Sequence, residues 1–264
     1  MRPAPQPFSP VLVALAGLCA LFFVLPLIGL VVRTPWGSTL GVLSDPNVES
    51  ALKLSLVCSV ASTALACVLG VPLAWVLARL RFPGKNLLRG LTTLPMVLPP
   101  VVGGVALLLA FGRRGLIGEP IANATGLGLP FTPAGVIVAE AFVAMPFLII
   151  TVEAGLRSMN VRFEDAARTL GAGRWTVMRR VTLPLITPSL AAGAVLAWSR
   201  ALGEFGATIT FAGNFPGTTQ TSPLAVYVNL ESGQLPAAIM LSVIMIVVSL
   251  AVLVALRGRY LGDG

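Results

Sequence analysis

Six stretches of this chain, at about 11–32, 48–80, 94–111, 133–156, 184–211 and 235–256, are apolar over the length of about 20 residues that a helix needs to cross a bilayer core. A segment in hydrocarbon must satisfy its own backbone polar groups, and a helix does so without partners. The expected fold class is therefore an all-α integral membrane protein with six transmembrane helices. Composition agrees, since 56% of residues are hydrophobic and 11% charged, whereas soluble domains carry about a quarter charged residues. The first stretch is too long for a signal h-region and lacks a small-x-small cleavage site, so it is expected to remain. The second would be roughly 48 Å long as one helix and must tilt, project or kink near Pro72.

The cations set the orientation. With the amino terminus in the cytoplasm, the inside segments hold thirteen of them: Arg2, then Arg79, Arg81, Lys85 and Arg89, then Arg157, Arg162, Arg168, Arg174, Arg179 and Arg180, then Arg257 and Arg259. The outside segments hold three, Arg33, Arg113 and Arg114, and Lys53 and Arg200 fall within spans. This is the positive-inside pattern, with both termini cytoplasmic. The net charge of +8 is thus first an effect of topology. Divided among short loops without interleaved aromatics, it does not make a nucleic-acid surface.

Several chemistries are excluded. The chain has no histidine, which removes Ser-His-Asp, Cys-His and His-metal arrangements together. Cys19, Cys58 and Cys67 fall inside apolar runs, and on one helix Cys58 and Cys67 would lie about 13 Å apart, too far to bridge. No disulfide framework, metal site or cofactor is expected. Gly84-Lys85 is followed by Asn86, so no Walker loop is present. The chain is expected to be non-catalytic, and if ATP drives it, another subunit hydrolyses the ATP.

One polar, Arg-rich segment interrupts the apolar chain, EDAARTLGAGRWTVMRRVTLP from Glu164 to Pro184. Two acids suit the positive end of a short helix over Glu164 to Leu170. Gly171 and Gly173 break it, and Trp175, Met178 and Val181 then recur at helical spacing beside Arg174, Arg179 and Arg180. The pattern predicts a helix–turn–helix elbow over 160–183 on the cytoplasmic side. By itself, such an elbow is equally an ordinary loop made basic by topology.

Asp165-Ala166-Ala167, three residues, Gly171, nine residues, then Val181-x-Leu183-Pro184 resembles the EAA signature (E-A-A-x3-G-x9-I-x-L-P) of the membrane subunits of binding-protein-dependent ABC importers of the type I fold. Asp165 stands in place of the usual Glu, with Glu164 just before it, and Val181 in place of Ile. The resemblance implies that the elbow docks on a cytoplasmic ATPase, with Glu164, Asp165, Ala166, Ala167, Gly171 and Gly173 as coupling residues. It implies further partners: a second copy of the chain, two ATPase subunits and an external anion-binding protein, in a bacterial or archaeal cytoplasmic membrane. The whole chain, 1–264, is then one transmembrane permease domain.

The fifth span carries the most specific intramembrane chemistry. Ser189, Gly193, Ala197 and Ala201 form a small-residue stripe open to close helix approach. Beyond it, Arg200 and Glu204 stand four apart beside Gly203 and Gly206. They either neutralise each other structurally or line and gate a path. ALGEFGAT, FAGN and GTTQTSPLAVY, with LPMVLPPVVGG from Leu94 and FGRRGLIG from Phe111, are similar to the oxyanion branch of these permeases, most closely the molybdate permeases, with the sulfate type as the alternative. Arg113, Arg114, Asn214 and Gln220 are candidates for the outer mouth or the binding-protein contact, although the two arginines would serve equally as headgroup contacts. An ATP-independent channel or secondary carrier is a further alternative. Against it, Glu140, Glu153 and Glu204 read as isolated acids and not as a proton relay.

An internal similarity at an offset of 89 residues aligns Gly84-Lys85, Leu94-Pro95, Pro99 and Gly104 with Gly173-Arg174, Leu183-Pro184, Pro188 and Gly193. It reads either as two equivalent passages into the membrane or as chance.

Overall fold

The computed structural model describes residues 9–260, so Arg2 and the last four residues lie outside it. Thirteen α-helices and no strand occur among the described residues: α1 Pro10–Arg33, α2 Thr39–Leu43, α3 Pro46–Arg79, α4 Lys85–Thr93, α5 Pro100–Phe111, α6 Gly118–Thr125, α7 Pro133–Ser158, α8 Arg162–Thr169, α9 Arg174–Val177, α10 Leu183–Leu202, α11 Gly206–Phe211, α12 Ser222–Glu231 and α13 Leu235–Tyr260. Among those residues, five helical stretches are long and apolar enough to cross a membrane, and a sixth crossing appears when the bent pair Lys85–Met96 and Pro100–Phe111 is taken as one.

The long helices begin where local chemistry fixes them. Asp45 Oδ1 accepts from the Asn47 N–H at 2.8 Å to open α3, and Thr132 Oγ1 accepts from the Gly135 N–H at 3.1 Å to open α7. Both helices carry Pro in the first turn, where a missing N–H costs nothing. α3 continues through Pro72 for 34 residues, about 51 Å. As one helix it is longer than a bilayer core is thick, and Pro72 does not interrupt it.

The third and fifth stretches differ from simple spans. After a short 3₁₀ turn at Leu94–Met96, the chain turns by 117° before α5 begins. The cause is Pro99-Pro100: two successive residues lack a donor, and the backbone ahead of each is pushed out of the helical region, with Pro99 at ψ 131°. The fifth stretch is helical to Leu202, opens at Gly203–Phe205 and resumes as α11. The two passages related by the 89-residue offset therefore diverge. The second remains one span over Arg174–Leu202, with a π-helical turn at Met178–Thr182 directly ahead of Pro184, so the missing proline donor is absorbed without a sharp bend.

α3, α7 and α10 form the centre. Leu77, Leu148, Val152, Leu156 and Ile186 are fully or almost fully buried with Ala74, Ala144, Ala197 and Ala201. Lipid is as apolar as these side chains, so close packing is what draws the helices together. Small residues allow it. A Cβ on Gly193 would stand 3.4 Å from the Leu148 carbonyl oxygen and 3.3 Å from Thr151 Cβ, and one on Gly70 would stand 3.0 Å from Leu148 Cδ2. The stripe Ser189, Gly193, Ala197 and Ala201 thus meets α7. By contrast, none of the residues of α1 is buried among the described residues.

Candidate functional site

Over 160–183 the chain runs through α8, a glycine-containing turn, the short α9 and the π-helical turn Met178–Thr182. α8 closes at Thr169 with the Gly171 N–H donating to Arg168 O at 2.9 Å and the Ala172 N–H donating to Ala167 O at 3.0 Å, with Gly171 at φ +84°. This is a Schellman ending, and it needs a residue that accepts the left-handed conformation. Gly171 is therefore a backbone requirement. Gly173, at φ −66° and ψ 161° with open space around it, is not. Leu170, Trp175 and Phe163 stand 88%, 73% and 56% exposed, and Asp165 and Ala166 are exposed beside them. The elbow presents apolar side chains that nothing among the described residues covers.

Glu164 is the exception, 4% exposed. One of its oxygens accepts from Thr182 Oγ1 at 2.8 Å and from Arg79 Nη2 at 3.3 Å, and the other lies 3.8 Å from Arg168. Nearby, Glu153 Oε1 accepts from Arg89 Nη2 and pairs with Arg157 Nη2, each at 2.7 Å. Arg89 Nη2 also donates to Leu77 O at 3.5 Å. Two buried carboxylates thus gather the ends of α3 and α7, the middle of α4, the first turn of α8 and the π-helical turn that leads into α10, with four of the arginines that the charge distribution assigned to one side.

The breaks in the third and fifth spans meet. A Cβ on Gly206 would fall 2.7 Å from Pro100 Cβ, and one on Gly104 would fall 2.6 Å from Thr210 Cβ and 3.0 Å from Ala207 O. α5 and α11 therefore touch backbone to backbone, each just past its own interruption. Glu204 fixes the second break. Its Oε1 accepts from the Ala207 N–H at 2.8 Å, capping α11. Its Oε2 lies 2.5 Å from Arg200 Nη2, as an ion pair without the alignment of a hydrogen bond. Glu204 is 1% exposed, and Gly203 faces outward.

Sequence separation hid one neighbour. Glu140, 1% exposed on α7, lies within electrostatic reach of Glu204, and its Oε2 is buried without a partner. The expectation that Glu140 and Glu204 are isolated is thus corrected, because helix packing closes a gap of 64 residues. Glu153 belongs to the arginine cluster at the other site. Ser55, Ser59 and Ser62 recur at near-helical spacing on the buried face of α3, and this was the signal available in the sequence.

The four outer-mouth candidates do not form one cluster. Arg113 and Arg114 are exposed. Arg114 lines a hollow of about 430 Å³ with Glu119 and Asn123, while Arg113 packs against Gly128. Gln220 is 7% exposed and lines a separate hollow of about 510 Å³ with Asp45, Asn47 and Asn229. Its neighbours Thr219, Thr221 and Ser222 turn inward: the Ser222 N–H donates to Ser55 Oγ at 2.6 Å, and Ser222 Oγ donates to Ala51 O at 3.2 Å. Asn214 follows Gly213, which has φ +77° and is pressed between Phe131 and Phe215. Phe131 itself holds a left-handed backbone at φ 60°, which no sequence pattern announced. Among the described residues no cluster of three or more potential metal ligands occurs.

The chain is similar along most of its length to known transport proteins. The molybdenum transport system permease protein ModB of Mycobacterium tuberculosis is 44% identical over 246 residues, covering 93% of this chain and 92% of the relative. Its Escherichia coli namesake is 44% identical over 191 residues, covering 72% and 83%. The sulfate transport system permease protein CysT of Escherichia coli is 36% identical over 240 residues, covering 90% and 86%. A membrane chain of the bacterial alginate ABC transporter, solved with an alginate-bound periplasmic protein, superposes with a TM-score of 0.76 at 18% identity, over 96% of this chain and 95% of that one. Residues 70–259 match the model of the binding-protein-dependent transport system inner membrane component. The chain belongs to that family, the permeases of ABC importers.

Proposed function

We propose that the chain is the membrane subunit of an ATP-driven importer of a tetrahedral oxyanion, with molybdate as the first substrate to test. The observation that carries this reading is the 44% identity to a molybdenum permease across 93% of the chain, against 36% to a sulfate permease. The elbow supports the ATP-driven part. It holds two short helices about a glycine-containing turn, and its Leu170, Trp175 and Phe163 are uncovered, as a docking element for a separate ATPase requires. The assembly is two copies of the chain, two ATPase subunits on the arginine-rich side and an anion-binding protein opposite, with both termini cytoplasmic.

The path runs past the paired breaks. Interrupted helices are where transporters place substrate and gate, and here the breaks of two spans press on each other through Gly104 and Gly206. Arg200 supplies a cation there that Glu204 partly offsets, which suits brief passage of an anion better than tight retention. Uptake of labelled molybdate into proteoliposomes holding the complete complex, with tungstate and sulfate as competitors, tests the reading. ATP-dependent uptake that molybdate and tungstate share and sulfate does not inhibit is expected. Preference for sulfate would move the chain to the sulfate type.

A further inference from the structure

The geometry points to Glu164 as a bolt that fixes the elbow to the end of α3, with Arg79 and Thr182 as its seats, so that a push on the elbow is delivered to a helix that ends 85 residues earlier in the chain. One carboxylate reaches three elements. Glu164 stands in the first turn of α8, Arg79 is the last residue of α3, and Thr182 is the last residue of the π-helical turn that leads into α10. Glu164 and Thr182 are 4% and 1% exposed, and the Arg79 side chain is 16% exposed. Such a pair is held by what breaking it would leave behind, an unpaired charge away from water. The Arg79 Nε is already buried without a partner, so Glu164 is the carboxylate that compensates this guanidinium.

Burial separates Glu164 from its neighbours in the elbow. Asp165 and Ala166 point outward, where a partner can reach them, while Glu164 points back into the body of its own subunit. It is a positioning residue, and the consequence is mechanical. Without the tie, α8 would hang from the loop between Ser158 and Arg162 on one side and from the Gly171–Gly173 turn on the other. With it, α8, the end of α3 and the start of α10 move as one piece. This role rests on the coupling function proposed for the elbow, but its test does not need transport.

Spin labels at Arg81→Cys and Arg162→Cys, both exposed positions, in a background with Cys19, Cys58 and Cys67 changed to Ala, report the distance between the end of α3 and α8. In the complete complex that distance should stay single and unchanged between the nucleotide-free state and the ATP–vanadate state. Adding Arg79→Gln should broaden it, and uptake per ATP hydrolysed should fall about tenfold. Should Arg79→Gln not assemble, Thr182→Val, which keeps both charges and removes one hydrogen bond, should broaden the distribution to a lesser degree. A distance that changes with nucleotide while the bolt is intact, or variants as narrow as the parent, would overturn the assignment. The broadening is also readable in the permease alone, so a failure of ATP-driven uptake is seen separately from a failure of the bolt.

Discussion

Replacing Gly171 by Ala should loosen the elbow by a predictable amount. The residue holds φ +84°, and an L side chain in the left-handed region costs about 1–2 kcal/mol. Nothing lies within 4 Å of the added Cβ, so crowding inside the chain adds no further cost. At about 1.4 kcal/mol per factor of ten, the two hydrogen bonds that end α8, from the Gly171 and Ala172 amides, should open about 5–30-fold more often. Hydrogen exchange at these two amides in the purified protein measures the ratio directly. Gly173→Ala is the control, since its backbone is extended and its surroundings are open, and it should exchange as the parent does. Gly171→Asn should fall between, because Asn tolerates the left-handed region better than Ala. Unchanged exchange in Gly171→Ala, or an equal acceleration in Gly173→Ala, would refute the argument that backbone conformation is what demands glycine here.

Ala167→Arg should leave the spans inserted yet abolish copurification of the ATPase, and a variant that still binds and transports normally would remove Ala167 from the docking surface. Gly104→Ala should cost about 1–3 kcal/mol through overpacking against Thr210, read as a lower melting temperature with slower uptake, while Gly203→Ala, with only Ser199 O at 3.6 Å, should melt as the parent does. Arg200→Ala should lose uptake and destabilise by about 3–5 kcal/mol, since it leaves Glu204 buried and unpaired; Glu204→Gln, which still accepts from the Ala207 N–H, should be milder in thermal unfolding. The double change should recover folding but not uptake, and normal transport by it would make the pair purely structural. Neutralising Arg113 and Arg114 should slow uptake mainly at low salt, and a rate that is unchanged across ionic strength would leave these arginines as headgroup contacts.

What could be read ahead of the structure was what depends on local periodicity. Apolar length placed the spans, and Gly171 with the Arg-rich repeat placed the elbow, because a helix and its ending are decided within a few residues. The break in the third span was also written locally, in Pro99-Pro100, but the average hydropathy of 94–111 masked it. The contacts that matter most were not local. Arg79 meets Glu164, and Glu140 comes within electrostatic reach of Glu204, only after α3, α7 and α10 have packed, and the rotation of each helix about its axis decides which residues face inward. Gln220 shows the same limit: a polar loop residue reads as exposed, yet the Ser222 contacts with Ser55 and Ala51 draw its segment into the body.

The π-helical turn at Met178–Thr182 sets an angular phase between the elbow and the span that follows it. Each residue of an α-helix advances the azimuth by about 100°, and a π turn accommodates one residue more than the α path would. Deleting one residue there would return the turn to the α path and leave the elbow and the stripe of Ser189, Gly193, Ala197 and Ala201 in nearly the same phase, whereas deleting one from the regular helix between Leu183 and Ser189 would turn one about 100° against the other. The stripe would then face away from α7 while the elbow still faced its partner. The π turn is therefore the one place between these two surfaces that should tolerate the loss of a residue, and the first turn of α10 the place that should tolerate it least.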